Sequence, residues 1–406
     1  MKVVIVDLGS RLNKVGGQAR IAAILYRGLK RFFDTYYVGY ETEYLGGDKN
    51  TVLLERGTVL SLSLRKNRFS ENWALRLGYN LVVVRNLLGI GMNRGELLQK
   101  MRAIRPDVVV ANSVQDIVLL KYLKRNGLEF KTVYIDHNSI STSIASGYLS
   151  KEAMPLTIGC GITAYSVADA KRKFFNFFDV NVALSPAQFN SIKALTNKVT
   201  VILNGIDVKI AKNADALSRL RLKYGFKSNN FVVLYVGRLF ERQKNISTLI
   251  KAFKTIDNRN IRLLIVGDGP SRQEYTKLAK DDNRIVFTGN IEDRLMSYIY
   301  RLADLFVLPS FWEAGLSLTA LEAAANSLPI ILSKNVYVAG LRDSEVGEVL
   351  SFNTNSKEDL ANKISLVYKS KKIRDYAVLV SKKLARKFNE NSMLLQYRDL
   401  ILKPKT

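Results

Sequence analysis

The stretch "FVVLYVGRLFERQKNISTLIKAF", residues 231–253, decides how the rest of the chain is read. An apolar, β-branched run ends at Gly237, and a polar loop leads into a helix whose N-cap is Asn245 or Ser247. Strand, glycine and helix in that order form the repeating unit of a parallel sheet. The same rhythm continues through "IRLLIVGDG", "RIVFTG", "ADLFVLPS" and "LPIILS". Upstream, "KVVIVDLG" opens an earlier series, and in the stretch after it Ile21, Ile24, Leu25, Leu29 and Phe32 fall near one helical face. "PDVVVANS", "KTVYIDHN", "DVNVALS" and "VTVILNG" supply its further strands. Short apolar runs separated by helical segments predict parallel strands with helices on both faces.

The expected fold class is therefore α/β: two Rossmann-like, doubly wound parallel-sheet domains facing each other across a deep cleft, where such folds bind ligands. The linker is placed near Asp207, in a polar, weakly periodic stretch broken by Gly205. From Ser356 onward the chain reads as helices rich in Lys and Arg.

At 406 residues the chain has room for two or three domains, and its net charge of +26 argues for anionic partners: nucleic acid, phospholipid or phosphorylated small molecules. One cysteine, Cys160, excludes an intrachain disulfide and multi-cysteine metal sites, and one histidine, His137, excludes paired-histidine clusters. Catalysis must lean on carboxylates, Lys, Arg and backbone groups. The run Val3–Val6 is too short for a secretion signal, so a cytoplasmic protein is expected. Residues 138–150 and 153–168 carry no charge, yet Gly, Ser, Thr and Pro dilute them below a membrane span. Two basic stretches, Ser61–Arg94 and Lys171–Val180, interleave cations with apolar residues. They suit a surface lying on anionic lipid, or else Phe174, Phe175 and Phe178 belong to the core and the cations to a solvated face.

Arg238 and Lys244 stand beside a predicted helix N-terminus, a setting that favours a phosphate pair. Each cation at ~4 Å from a phosphate contributes at most about 4 kcal/mol at an effective dielectric near 20. The plainer reading makes both solvated surface charges. Gly267 and Gly269 follow a strand, as does the "FTGNI" segment holding Asn290 and Ile291; these are ligand loops or ordinary turns. In "PSFWEAGLSLTALEAAANSLPII", residues 309–331, a strand gives way to a loop with Glu313 and Gly315, and a helix begins around Leu318. Glu322, in or near its first turn, could accept both hydroxyls of a ribose while the N–H groups of Gly315, Leu316 and Ser317 meet phosphate oxygens. Alternatively Glu322 only complements the helix dipole.

In these pieces the chain resembles the nucleotide-sugar-dependent glycosyltransferases of the large retaining family 4, whose architecture is called GT-B. "GGQAR", "YIDHN", "VALSPAQ", "VILNGID", "VGRLFERQKNISTLIKAF", "LLIVGDGP", "VFTGNI" and "ADLFVLPSFWEAGLSLTALEAAANSLPII" run in the family's order, more closely in the second half. The resemblance implies an acceptor-side domain at 1–207, a nucleotide-sugar-binding domain at 208–388, and a C-terminal helix at 389–406 packing back on the first domain. It implies that Arg238 and Lys244 hold the donor diphosphate as it leaves, that Glu322 holds the ribose, and that Glu313 touches the transferred sugar. Gly237, Gly267, Gly269, Gly315, Leu316, Ser317, Asn290 and Ile291 would line the donor site. Gly16 and Gly17 would let a loop approach phosphate or acceptor, and His137 would face the donor sugar. No metal or other cofactor is expected. Two departures stand out: eight residues, not seven, separate Glu313 from Glu322, and Asn326-Ser327 replaces a glycine at the helix exit.

The expected reaction moves a sugar, with retention, onto a lipid-linked or cell-envelope glycan at the inner membrane face, with the enzyme peripherally attached. Front-face attack is favoured over double displacement, since Glu313 is the one obvious nucleophile. A nucleotide-sugar epimerase and a non-catalytic nucleotide-sugar binder are the alternatives. A nucleic-acid-binding protein is disfavoured, because no zinc-finger or RNP-like pattern occurs.

Overall fold

A computed structural model of the chain describes residues 1–9, 16–45, 48–54, 94–137, 167–208, 210–211, 213–313, 315–336 and 349–404. The basic stretch 61–93, both uncharged stretches up to residue 166, Cys160 and Ala314 lie outside the described residues. The chain divides into two compact units, Met1–Ile202 with Leu394–Thr406, and Leu203–Met393.

The first unit is built on a parallel sheet of β1 (Lys2–Asp7), β2 (Asp34–Gly39), β3 (Thr51–Leu53), β4 (Val108–Ala111), β5 (Lys131–Ile135), β6 (Val180–Ala183) and β7 (Val199–Val201). Its strand order is β3-β2-β1-β4-β5-β6-β7. The second unit repeats the scheme with β8 (Phe231–Val236), β9 (Ile261–Val266), β10 (Ile285–Gly289), β11 (Leu305–Leu308), β12 (Ile330–Ser333) and β13 (Ser351–Phe352), in the order β10-β9-β8-β11-β12-β13. In both, the chain winds outward one way from the first strand and then the other. That leaves a topological switch point between β1 and β4, and another between β8 and β11.

Every strand named from the sequence is present, and their cores are dry: β4, β5, β8, β11 and β12 bury every residue. The "KRKFFNFFDV" ambiguity resolves in favour of the core. Phe174, Phe175 and Phe178 are fully buried, and Tyr134 meets Phe174 edge-on at 5.0 Å and stacks on Phe178 at 4.9 Å. These aromatics are not offered to lipid.

The polar linker stretch holds more structure than expected. A helix, Ala214–Lys223, is capped by Asn213, whose Oδ1 accepts from the Ala216 N–H at 3.0 Å. It buries no residue, so it left no apolar stripe to read. The chain's last helix, Glu390–Leu402, contributes from Leu394 onward to the first unit. There Lys131 Nζ donates to the carbonyls of Leu400 and Lys403 at 2.8 and 2.7 Å. A Cβ on Gly28 would lie 2.3 Å from Leu394 Cδ1, so glycine lets the two helices approach.

Candidate functional site

In the second unit the loops after β8 and β11 meet at the switch point. Beyond β8, Arg238 is exposed, its guanidinium 5.5 Å from the Phe240 ring centre, and no carboxylate pairs with it among the described residues. Lys244 is not on an open loop, as the sequence suggested; it ends a short helical turn, Glu241–Lys244. Asn245 follows in the left-handed region (φ 51°, ψ 39°), which asparagine tolerates better than most residues. This residue occupies the N-cap position of the helix Ile246–Lys254 but makes no side-chain cap. Instead its Nδ2 donates to the carbonyls of Pro309 (3.2 Å) and Thr354 (2.9 Å), tying the β8 loop to the segment beyond β11.

A second tie runs from the Phe311 N–H to the Gln243 carbonyl at 2.8 Å. These links bring Lys244 Nζ to 2.5 Å from Glu313 Oε1, which also accepts from Ser310 Oγ at 2.6 Å. The pair is largely shielded, with side chains 14% and 10% exposed. Residues 69 apart in sequence, expected to serve opposite ends of a ligand, neutralise each other here.

The helix N-terminus beside Arg238 and Lys244 is also occupied. The Glu241 carboxylate accepts from the Ser247 N–H and hydroxyl, and from the Tyr275 hydroxyl at 2.7 Å. An internal carboxylate thus complements the dipole that the sequence reading gave to a phosphate. The other N-terminus is open: Ser317 precedes the helix Leu318–Ala325 without a side-chain cap, and no acidic residue stands in the first turn. The N–H groups of Gly315, Leu316 and Ser317 donate no hydrogen bond among the described residues.

Glu322 sits one turn into that helix, 5% exposed, and accepts from the hydroxyl of the buried Tyr300. The helix exit without glycine is made by Ser327 at φ 59°, with the Leu328 N–H returning to the Ala323 carbonyl at 2.9 Å. Asn326 Nδ2 covers the Glu322 carbonyl at 2.9 Å.

Gly267 and Gly269 have a packing role of their own. A Cβ on Gly267 would stand 2.0 Å from the Gly237 carbonyl oxygen, and one on Gly269 2.4 Å from that of Leu239. The Leu239 N–H bonds the Asp268 carbonyl and the Ser271 N–H bonds the Leu239 carbonyl, so the β8 and β9 loops lie back to back. Asn290 (exposed) and Ile291 (partly buried) follow β10 at the sheet's edge.

In the first unit, Gly16 and Gly17 open the helix Gly17–Leu29, and a Cβ on Gly16 would meet nothing within 4 Å. At that unit's switch point, Asp116 accepts from the N–H groups of Leu8 (2.8 Å), Asn112 (2.8 Å) and Ser113 (2.7 Å), and from Ser113 Oγ (2.6 Å). Burial and the neighbouring Asp7 carboxylate push it up, to about 8, against these four donors. His137 follows β5 and binds Asn112 Oδ1 through Nε2 at 2.8 Å; burial pushes its ring down to about 3. Sequence reasoning missed Asn112, Asn245, Tyr300 and Glu241. Of these, only Asn245, a residue tolerant of left-handed backbone just before a helix, carried a local signal.

No three His, Cys, Asp or Glu side chains gather to hold a metal ion among the described residues. No helix of the described residues is long and apolar enough to cross a membrane.

Fold and switch-point geometry together define a GT-B-type α/β protein, and comparison with known proteins agrees. Residues 230–370, within the second unit, match the family model "Glycosyl transferases group 1". An uncharacterized glycosyltransferase of Methanocaldococcus jannaschii is 30% identical over 197 residues, 46% of this chain and 49% of that protein. The UDP-Gal:alpha-D-GlcNAc-diphosphoundecaprenol alpha-1,3-galactosyltransferase of Escherichia coli is 37% identical over 147 residues, 34% of this chain and 36% of that protein. The chain thus spans half or less of the length of these curated relatives. Among solved structures, sucrose-phosphate synthase from Thermosynechococcus elongatus superposes with a TM-score of 0.73 at 18% identity, covering 98% of both chains. Anabaena HepE in complex with UDP-glucose gives 0.70 at 17% identity, covering 99% of both. The chain is family-4-like: GT-B throughout in fold, and similar in sequence to the group 1 glycosyl transferases over its second half.

Proposed function

We propose that the protein is a retaining glycosyltransferase that takes a sugar from a nucleotide-diphosphate sugar and gives it to a glycan or lipid-linked acceptor. The observation that carries this reading is the Lys244–Glu313 pair at the switch point of the family-matched unit, between exposed Arg238 and the open amides of Gly315 to Ser317. A diphosphate arriving there competes with Glu313 for Lys244. It draws the ammonium onto its own oxygens and releases a carboxylate, still held by Ser310, to accept hydroxyls of the sugar. As the glycosidic bond to the diphosphate breaks, Arg238 and Lys244 stabilise the charge that develops. In the front-face path the departing diphosphate takes the acceptor's proton, so no protein nucleophile is required.

The lipid-linked acceptor draws support from the name of the Escherichia coli relative, and peripheral attachment to anionic membrane from the +26 charge. HepE was solved with UDP-glucose, which makes UDP-glucose the first donor to try. A thermal-shift screen against UDP, GDP and ADP identifies the base, since a ligand at a hundred times its Kd adds about 2.7 kcal/mol of stability. The expected products are a new glycoside, with the donor's anomeric configuration by NMR, and a nucleoside diphosphate. An isomerised nucleotide sugar would instead mean an epimerase, and binding with neither product a non-catalytic binder.

The Glu322 assignment has its own check. Glu322→Gln keeps the helix but loses an anionic acceptor, and donor affinity should fall about tenfold, the order of one charge-assisted hydrogen bond. Tyr300→Phe removes the hydroxyl that Glu322 accepts and should cost about 1 kcal/mol of stability. Unchanged donor affinity in Glu322→Gln would return this residue to a purely structural role with Tyr300.

A further inference from the structure

We infer that Asn112 fixes the tautomer of His137 with its proton on Nε2, leaving Nδ1 to accept a hydrogen bond from a hydroxyl-bearing group, a sugar and not a phosphate. The sugar rests on the proposed function; the tautomer does not. Asn112 is fully buried, and its Nδ2 donates to the Gln18 carbonyl at 3.0 Å. A carbonyl can only accept, so the amide cannot be turned over: the reverse orientation would press two oxygens together. Oδ1 must therefore face His137, and the nitrogen 2.8 Å from it, Nε2, must carry a proton.

The amide is held from behind as well. The Asn112 N–H is shared between the Val6 carbonyl (3.0 Å) and Asp116 (2.8 Å), and the Asp116 carboxylate also gathers Leu8 and Ser113. Asp116 and Asn112 are thus positioning residues for the imidazole.

The carboxylates on the neighbouring segments are Asp7 at the end of β1, Asp116 after β4 and Asp136 after β5, all fully buried. Burial alone governs the ring, driving it toward the neutral form. A neutral imidazole with its one proton already committed offers nothing to an anion. It offers a lone pair at Nδ1, which has no partner among the described residues, and a sugar hydroxyl donates to such an atom.

The chain has one histidine, so ¹⁵N-histidine labelling gives a single imidazole to read. The ligand-free protein should show a protonated Nε2 and a bare Nδ1, unchanged from pH 8 to pH 5. Asn112→Ala should mix the tautomers and move the ring toward the ordinary titration range near 6.5. Asn112→Ser should do the same and serves if the alanine variant does not fold. UDP-glucose should shift Nδ1 where UDP alone does not. A wild-type ring titrating near 6.5, a proton on Nδ1, or variants with the wild-type tautomer would overturn the positioning role. Equal Nδ1 shifts with UDP and UDP-glucose, or none with either, would overturn the sugar assignment. The expected tautomer in a protein that transfers no sugar from any donor would sink the glycosyltransferase reading alone.

Discussion

Arg238→Ala and Lys244→Ala should each slow turnover by about a hundredfold or more, the usual loss when one donor to a developing negative charge is removed, but only Lys244→Ala should also lower the melting temperature. Arg238 is exposed and pairs with no described carboxylate, so its loss leaves nothing unsatisfied. Lys244 is different, because its removal strands Glu313 in a site where both side chains are nearly covered. Breaking a fully buried pair costs about 3–5 kcal/mol. The residual exposure and the Ser310 hydrogen bond bring the expected loss nearer to about 2–3 kcal/mol. The double variant Lys244→Ala with Glu313→Gln separates the two effects: stability should return, since the amide carries no stranded charge, while turnover should not. A normal rate in Arg238→Ala would remove that residue from the reaction. An unchanged melting temperature in Lys244→Ala would mean that the ion pair adds nothing to the fold.

The sequence reading also expected Lys244→Ala to leave the fold intact, and the reason it could not see otherwise is instructive. Strands such as Phe231–Val236 are legible because parallel strands covered on both faces are apolar without interruption. β2, β3 and β13 escaped notice: β2 is broken by exposed and half-buried positions, and the other two are short sheet-edge strands. Site residues were legible as types at loop positions after strands, and Arg238, Lys244, Glu313 and Glu322 all lie in or next to the segments expected. Their partners were not. That Glu241 fills a helix N-terminus and that Asn245 joins two loops depends on contacts across tens of residues, which no local pattern encodes. Nor could glycine spacing distinguish a ligand-hugging turn from one pressed against another loop.

That distinction is open to experiment at Gly267. Its φ of 125° lies where side chains rarely go, and an added Cβ would overlap the Gly237 carbonyl oxygen at 2.0 Å. The obstacle is backbone, which cannot swing aside as a side chain would. Gly267→Ala should therefore incur overpacking of about 1–3 kcal/mol and backbone strain of about 1–3 kcal/mol. At about 2–4 °C per kcal/mol for a unit of this size, the melting temperature should fall by roughly 10 °C. Gly225→Ala is the control: at φ 71° it meets nothing within 4 Å, so it carries only the backbone strain and should lose less. Since the carbonyl that must move belongs to the residue before Arg238, Gly267→Ala should also reduce kcat in the fraction that stays folded. A glycine kept only so that a donor could come close would behave otherwise, with KM raised and thermal stability unaltered. That outcome would make the β9 loop a ligand contact and undo its role as the support on which the Arg238 loop rests.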